Sequence, residues 1–172
     1  MLNQKVADLL NDQINKEMYS AYLYLDFANF YTAKGLDGYA NWYRIQAKEE
    51  MDHAIGILNY LQDNDYVVTL SAIAKPDKEL KALEDPLRFA LEHEQYVTEL
   101  IHHIYHEAHE IHDYRTMKFL DWYVEEQGEE EKNANDMISK FELFGHDPKA
   151  LYQLNSELAN RTYTTASILA AE

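Results

Sequence analysis

Glu50 and His53 stand three residues apart in the run Lys48-Glu49-Glu50-Met51-Asp52-His53. On an α-helix this spacing puts both heads on one face, a single turn apart, where a carboxylate and an imidazole can share one metal ion. Such a pair is common and on its own describes a surface contact equally well. Its weight comes from an echo further along the chain. A shift of 77 residues carries Glu50 to Gln127, His53 to Glu130, Glu49 to Glu126 and Glu17 to Glu94. Four positions with ligand-type side chains recur at one offset, which predicts two helical hairpins built to one plan.

The elements that must hold these residues are helices. From Asn3 to about Ala33, Val6, Leu10, Ala21, Tyr24, Ala28 and Tyr31 recur at helical spacing, and Glu17 falls inside that stripe. A carboxylate on a core face is costly unless paired or bound to metal. Lys34-Gly35 ends this helix, and a second runs from about Leu36 to Asp63 with Tyr39, Tyr43, Ala47, Ala54, Ile57 and Leu61 on the face of Glu50. Glu49 lies about 100° to the side. Helical periodicity then lapses from Asn64 to about Leu83, where Val67-Val68-Thr69-Leu70 reads as extended and Lys75-Pro76-Asp77 as a turn. A connection this long predicts a crossover that travels the length of a bundle and sets the third helix parallel to the second.

The third helix is expected from Pro86 to about His112, with Glu84-Asp85 as capping candidates and Glu94 on the face of Leu87, Ala90, Ile101, Tyr105 and Ala108. A fourth runs from about Tyr114 to Phe144, where Leu120, Tyr123, Val124, Ala134, Ile138 and Phe141 share the stripe of Gln127 and Glu130. Gly145-His146-Asp147-Pro148 breaks the chain before a short helix to about Arg161, followed by an irregular tail. The fold class is all-α: an up-down-down-up four-helix bundle over residues 1–145, then a short fifth helix and tail over 146–172.

Composition agrees. The apolar fraction of 47%, with 14 Tyr and 6 Phe among 172 residues, suffices for a packed core, while 5 Gly and 3 Pro leave material for few turns. Without cysteine there is neither a disulfide nor a thiolate metal site. A net charge of −16 argues against a nucleic-acid surface and suits the attraction of cations, although a solubility charge explains it equally. The N-terminus is unlike a secretory signal and no long apolar run exists, so no membrane association and a cytoplasmic location are expected.

Placed on inward faces, Glu17, Glu50, His53, Glu94, Gln127 and Glu130 reach one height in the bundle. Four carboxylates there require neutralisation or protonation, and two divalent cations would cancel them. Glu50 would bridge, with Glu17 and His53 on one ion and Glu94 and Glu130 on the other. Oxygen-rich ligation with one imidazole suits Fe(II) or Mn(II). The competing reading is a buried polar network that sets helix register without metal, as in a non-catalytic assembly module.

With Asn15-Lys16-Glu17-Met18, Lys48-Glu49-Glu50-Met51-Asp52-His53, Glu92-His93-Glu94 and Glu125-Glu126-Gln127-Gly128-Glu129-Glu130-Glu131 in these places, the chain resembles non-haem bacterial ferritins over nearly its full length. The resemblance implies a homo-oligomeric, 24-subunit hollow shell that oxidises Fe(II) with O2 or H2O2 and stores Fe(III) mineral. It implies a ferroxidase pair of irons at Glu17, Glu50, His53, Glu94, Gln127 and Glu130, and a third iron site at Glu49, Glu126, Glu129 and Glu130. Tyr24 and Trp122 match aromatic positions beside the centre. Tyr24 is assigned as a one-electron donor, whereas Trp122 reads as a core aromatic.

Bacterioferritins are also similar, and Met51 sits where their haem-ligating Met lies. They carry a second Glu-x-x-His on the fourth helix, where this chain has Gln127 and Glu130, so no haem is expected and iron should pass through rather than remain. A rubrerythrin-type centre would need cysteines that are absent. His102, His106 and His109 are assigned to a solvated or subunit-contact face rather than to metal, and Glu131 receives no role.

Overall fold

The structure, a computed structural model, describes residues 2–169. Helix α1 spans Gln4–Ala33, α2 Asp37–Asp63, α3 Asp85–Glu110, α4 Tyr114–Phe144 and α5 Pro148–Leu158, and one 3-10 turn covers Ser167–Leu169. No strand occurs among the described residues.

Local chemistry sets the helix limits. The Asn3 side chain accepts from the Lys5 amide at the start of α1. At its end Gly35 takes φ +74°, which allows the Gly35 and Leu36 amides to close on the carbonyls of Thr32 and Tyr31. Asp113 caps α4 by accepting from the Thr116 amide and hydroxyl, and Asp147 caps α5 through the Ala150 amide. Asp85 acts differently from expectation. Its carboxylate accepts from the amides of Lys81 and Ala82 and so closes the turn before α3.

α1 packs on α2, α3 on α4, and α1 also meets α3. The segment between α2 and α3 climbs along α1 as an extended chain without a partner strand. Its polar groups are taken up by α1: Tyr66 donates to Asp8, Asn11 pairs with both the amide and carbonyl of Thr69, and Asn15 donates to the carbonyls of Ser71 and Ala72. At the far end Tyr31 donates to the Leu83 carbonyl. This path returns the chain to the top of α1, so α3 descends parallel to α2, giving the up-down-down-up order.

The apolar core is split in two. One block gathers Leu23 to Tyr31 of α1, Tyr39 to Ala47 of α2, Leu87 and Ala90 of α3, and Met137 and Phe141 of α4. The other gathers Val6 to Ile14, Ala54 to Leu61, Val97 to Ala108, and Leu120 with Tyr123. In the gap between the blocks each of the four long helices carries buried polar residues: Glu17 and Ser20, Glu50 and His53, His93 and Glu94, Gln127 and Glu130.

Further details depart from the sequence reading. On α3 Tyr105 is half-buried and Ile104 takes the core position. On α4 the buried apolar positions are Leu120, Tyr123, Met137 and Phe141, while Val124, Ala134 and Ile138 are half-buried, because the stripe drifts around a 31-residue helix. α5 ends at Leu158 rather than Arg161. The tail is not wholly irregular: it lies along α2 and ends in the Ser167–Leu169 turn.

Candidate metal centre

Each helix of the bundle contributes to one polar layer. Glu17 comes from α1, Glu50 and His53 from α2, Glu94 from α3, and Gln127 and Glu130 from α4; all are buried, none more than 5% exposed. The i, i+3 spacing on α2 and on α4 aims two heads per helix at the bundle axis.

Glu17, Glu50 and His53 form the tight half. Ligand atoms of the three lie within 4.8 Å of one another. His53 Nδ1 is 3.5 Å from a Glu50 oxygen. The amide of Gln13, one turn before Glu17, donates to its carboxylate at 2.9 Å. Three atoms in this group, Glu17 Oε2, Glu50 Oε1 and His53 Nε2, are buried and have no hydrogen-bond partner. Unsatisfied polar atoms of this kind are rare in a folded interior unless something binds them.

The other half is hydrogen-bonded within the protein. Tyr24 donates to one oxygen of Glu94, and the Gln127 amide donates to the other at 3.1 Å. Glu130 accepts from the Gln46 amide at 2.7 Å. Gln46 stands one turn before Glu50 on the same face of α2, a signal that the sequence did carry.

Electrostatics follow from burial. Loss of water is the chief cause that raises the carboxyls of Glu17, Glu50, Glu94 and Glu130 above their ordinary range, with Glu50 and Glu130 raised furthest by their mutual repulsion with Glu94. Hydrogen bonds from Tyr24 and Gln127 oppose the rise at Glu94. Among the described residues no lysine or arginine forms an ion pair with any of the four. Without an added cation the layer must hold protons. With two divalent ions it can ionise fully, and a set rich in oxygen with one imidazole suits Fe(II) or Mn(II).

The residues expected at a third site are placed less tightly. Glu126 is half-buried with one oxygen 3.9 Å from His53 Nε2, and it feels the charges of Glu129 and Glu49. Glu129 is exposed. Glu49 is paired with Arg161 at 2.7 Å. The structure does not draw these carboxylates into a cluster as close as Glu17, Glu50 and His53.

Among the aromatics, Tyr24 is buried against Glu94 and its hydroxyl is held neutral by burial and by that carboxylate. The Trp122 ring stands 5.4 Å from His53, edge-on, and its indole N–H donates to Ser167. Met51 is exposed. His102, His106 and His109 are exposed and line an open depression of about 500 Å³ with Tyr105, Asp121 and Glu125.

Sequence reasoning missed several groups. His93 Nε2 shares a 2.7 Å hydrogen bond with Ser20 Oγ, joining α3 to α1 beside the centre, and burial lowers its imidazole to about 4. Gln46 and Arg161 were not singled out either. His93 directly precedes Glu94, but nothing local indicates that Ser20, 73 positions away, would meet it.

Residues 7–144 match the ferritin-like domain family, and the chain belongs to it. Similar proteins include a probable bacterial non-heme ferritin-like protein of Haemophilus influenzae, 37% identical over 93% of this chain and 97% of that one. A bacterial non-heme ferritin of Campylobacter jejuni is 38% identical over 93% and 96%. Among solved structures, an open-pore ferritin from the hyperthermophilic archaeon Archaeoglobus fulgidus superposes with a TM-score of 0.91 at 39% identity, covering 94% of this chain and 98% of that one. An engineered closed form of the Archaeoglobus fulgidus ferritin gives 0.93 at 39% identity, with 95% and 100% covered.

Proposed function

We propose that this protein is a non-haem ferritin, an iron-storage protein whose subunits oxidise Fe(II) before depositing it as Fe(III) mineral. The observation that carries this reading is the buried layer of four carboxylates and one imidazole, in which an oxygen of Glu17, an oxygen of Glu50 and a ring nitrogen of His53 have no partner in the protein.

Two Fe(II) ions are the substrates of this layer. Glu17 and His53 take one, Glu94 and Glu130 take the other with Gln127 beside it, and Glu50 lies between them. Binding displaces the carboxyl protons. Each iron gives up one electron; O2 accepts the pair with two protons to give H2O2, or H2O2 accepts it to give two waters. Tyr24 can supply one electron, its proton passing to Glu94, when three Fe(II) supply the other three and O2 takes four electrons and four protons to give two waters. Ferric product then leaves toward Glu49, Glu126, Glu129 and Glu130, which form a third iron site. Gln127 supplies a neutral amide where a carboxylate would hold metal more firmly, which favours passage. The container is a homo-oligomeric shell of 24 copies in the cytoplasm, without haem.

The test is an anaerobic Fe(II) titration followed by air, with oxygen uptake recorded for the unsubstituted protein, Glu50→Ala and His53→Ala. Rapid oxidation saturating near two Fe(II) per chain, lost in both variants, supports the reading. Equal rates in all three would leave the layer as a register device.

A further inference from the structure

Beyond α5 the chain, as far as Leu169, stays on the bundle. It runs parallel to α2 from Asn41 toward Gly56, over the groove between α2 and α4. Asn41 donates to the carbonyls of Leu158 and Arg161. Asp52, buried with no lysine or arginine partner, accepts from the Tyr163 hydroxyl at 2.6 Å and the Ala166 amide at 2.9 Å. Trp122 donates to Ser167. Opposite Gly56, Ile168 packs so closely that an added Cβ would stand 3.2 Å from it. The segment is thus fixed at several points independent of Arg161.

Arg161 itself makes three polar contacts. Nη2 meets Glu49 at 2.7 Å, Nη1 donates to Gln46 Oε1 at 2.6 Å, and Nη1 also donates to the Trp42 carbonyl at 3.3 Å. Its guanidinium lies 4.0 Å over the Trp42 ring. Gln46, oriented by Arg161 at its oxygen, donates a hydrogen bond from its amide to Glu130. A planar fork held by a carboxylate, an amide and an aromatic face is a fixed cation, unlike a solvated lysine.

Resting on the metal-centre reading above, we infer that Arg161 is a positioning residue and the resident cation of the outlet from that centre. Through Gln46 it turns Glu130 toward the metal layer, and by pairing with Glu49 it withholds that carboxylate from an outgoing ion. Iron leaving toward Glu49 and Glu126 must displace the guanidinium, and only the side chain has to swing, since the segment behind it stays pinned. The outlet is therefore closed when the centre is empty and opens by exchange of one cation for another. His53 Nε2, unpartnered and 3.9 Å from Glu126, faces the same outlet.

The test uses calorimetric titration of the assembled, metal-free protein with Zn(II), which is redox-inert. The unsubstituted protein is expected to take two ions tightly and a third weakly. Arg161→Gln should tighten the third by about 10-fold, the scale of one charge-assisted hydrogen bond. Arg161→Lys, which keeps the charge but not the fork, should give a third-ion affinity between the two, and adding Glu49→Gln to Arg161→Gln should abolish the gain. Before Zn(II) is added, Trp122 emission, read in a Trp42→Phe background so that the ring beneath Arg161 does not contribute, should be the same with Arg161 and with Arg161→Gln, because the bond from Trp122 to Ser167 is not involved. Equal third-ion affinity in the unsubstituted protein and Arg161→Gln would overturn the inference while leaving the two-ion centre standing. A shifted metal-free Trp122 emission on Arg161→Gln in the Trp42→Phe background would overturn it too, since the whole segment would then have moved. Absence of the two tight ions from the unsubstituted protein would instead remove the metal-centre reading, and this inference with it.

Discussion

The hydroxyl of Tyr24 donates to the carboxylate of Glu94, tying α1 to α3 at the level of the polar layer. The same carboxylate takes its second bond from Gln127 on α4. Three helices therefore converge on one side chain, and a change at any of the three residues should be felt at the other two.

Tyr24→Phe removes the donor and leaves the ring packing against Tyr43 and Phe27. The expected cost to stability is about 1 kcal/mol, with two-ion binding retained. Rapid-freeze electron paramagnetic resonance during Fe(II) oxidation should lose a tyrosyl radical signal that the unsubstituted protein shows. The same signal in both proteins would assign the radical to another tyrosine.

Burial raises Glu17, Glu50, Glu94 and Glu130 above the ordinary 4.5, so the folded metal-free protein binds more protons than the unfolded chain. Their contribution is complete below that ordinary value and is lost as pH rises through the higher folded values. Thermal melts of metal-free protein should thus fall in midpoint from about pH 5 to about pH 8. Glu50→Gln should flatten the slope, and Zn(II) should restore the loss at the upper end. A slope identical in Glu50→Gln would assign the pH dependence to surface charge.

Gln127→Glu exchanges the amide donor facing Glu94 for an acceptor. Metal-free protein should lose stability, while Zn(II) should bind about 10-fold more tightly through the added charge. With Fe(II) and air, the first round of oxidation should proceed and later rounds should slow as product is held. Unchanged turnover in successive rounds would separate retention from the charge at this position.

Gly56 sits where α2 approaches α4, and a Cβ there would stand 2.6 Å from the Tyr123 hydroxyl, which donates to the His53 carbonyl. Gly56→Ala should cost about 1–3 kcal/mol in urea denaturation. Combining it with Tyr123→Phe should recover part of that loss. No recovery would place the conflict at Ile168 instead.

Much of this centre is legible in the chain. Glu50 and His53 declare themselves by an interval of one helical turn, and the 77-residue echo links them to Gln127 and Glu130. Glu17 and Glu94 stand out as carboxylates on apolar stripes. Gln46 could have been read from its place one turn before Glu50, but an amide on a core face gives no alarm comparable to a charge. Met137 was obscured by the slow drift of the buried face around α4.

What the sequence by itself determined is local: the helices, their inward faces, the long crossover and the positions of the buried polar side chains. Backbone hydrogen bonds repeat every few residues, so periodicity records which side chains share a face. Only the tertiary structure decided that Ser20 meets His93, that the segment after α5 turns back along α2, and that Arg161 joins Gln46 and Glu49 across separations of 115 and 112 residues. Those contacts depend on how whole helices and the returning chain pack together, and no short interval in the sequence encodes a pairing over such distances.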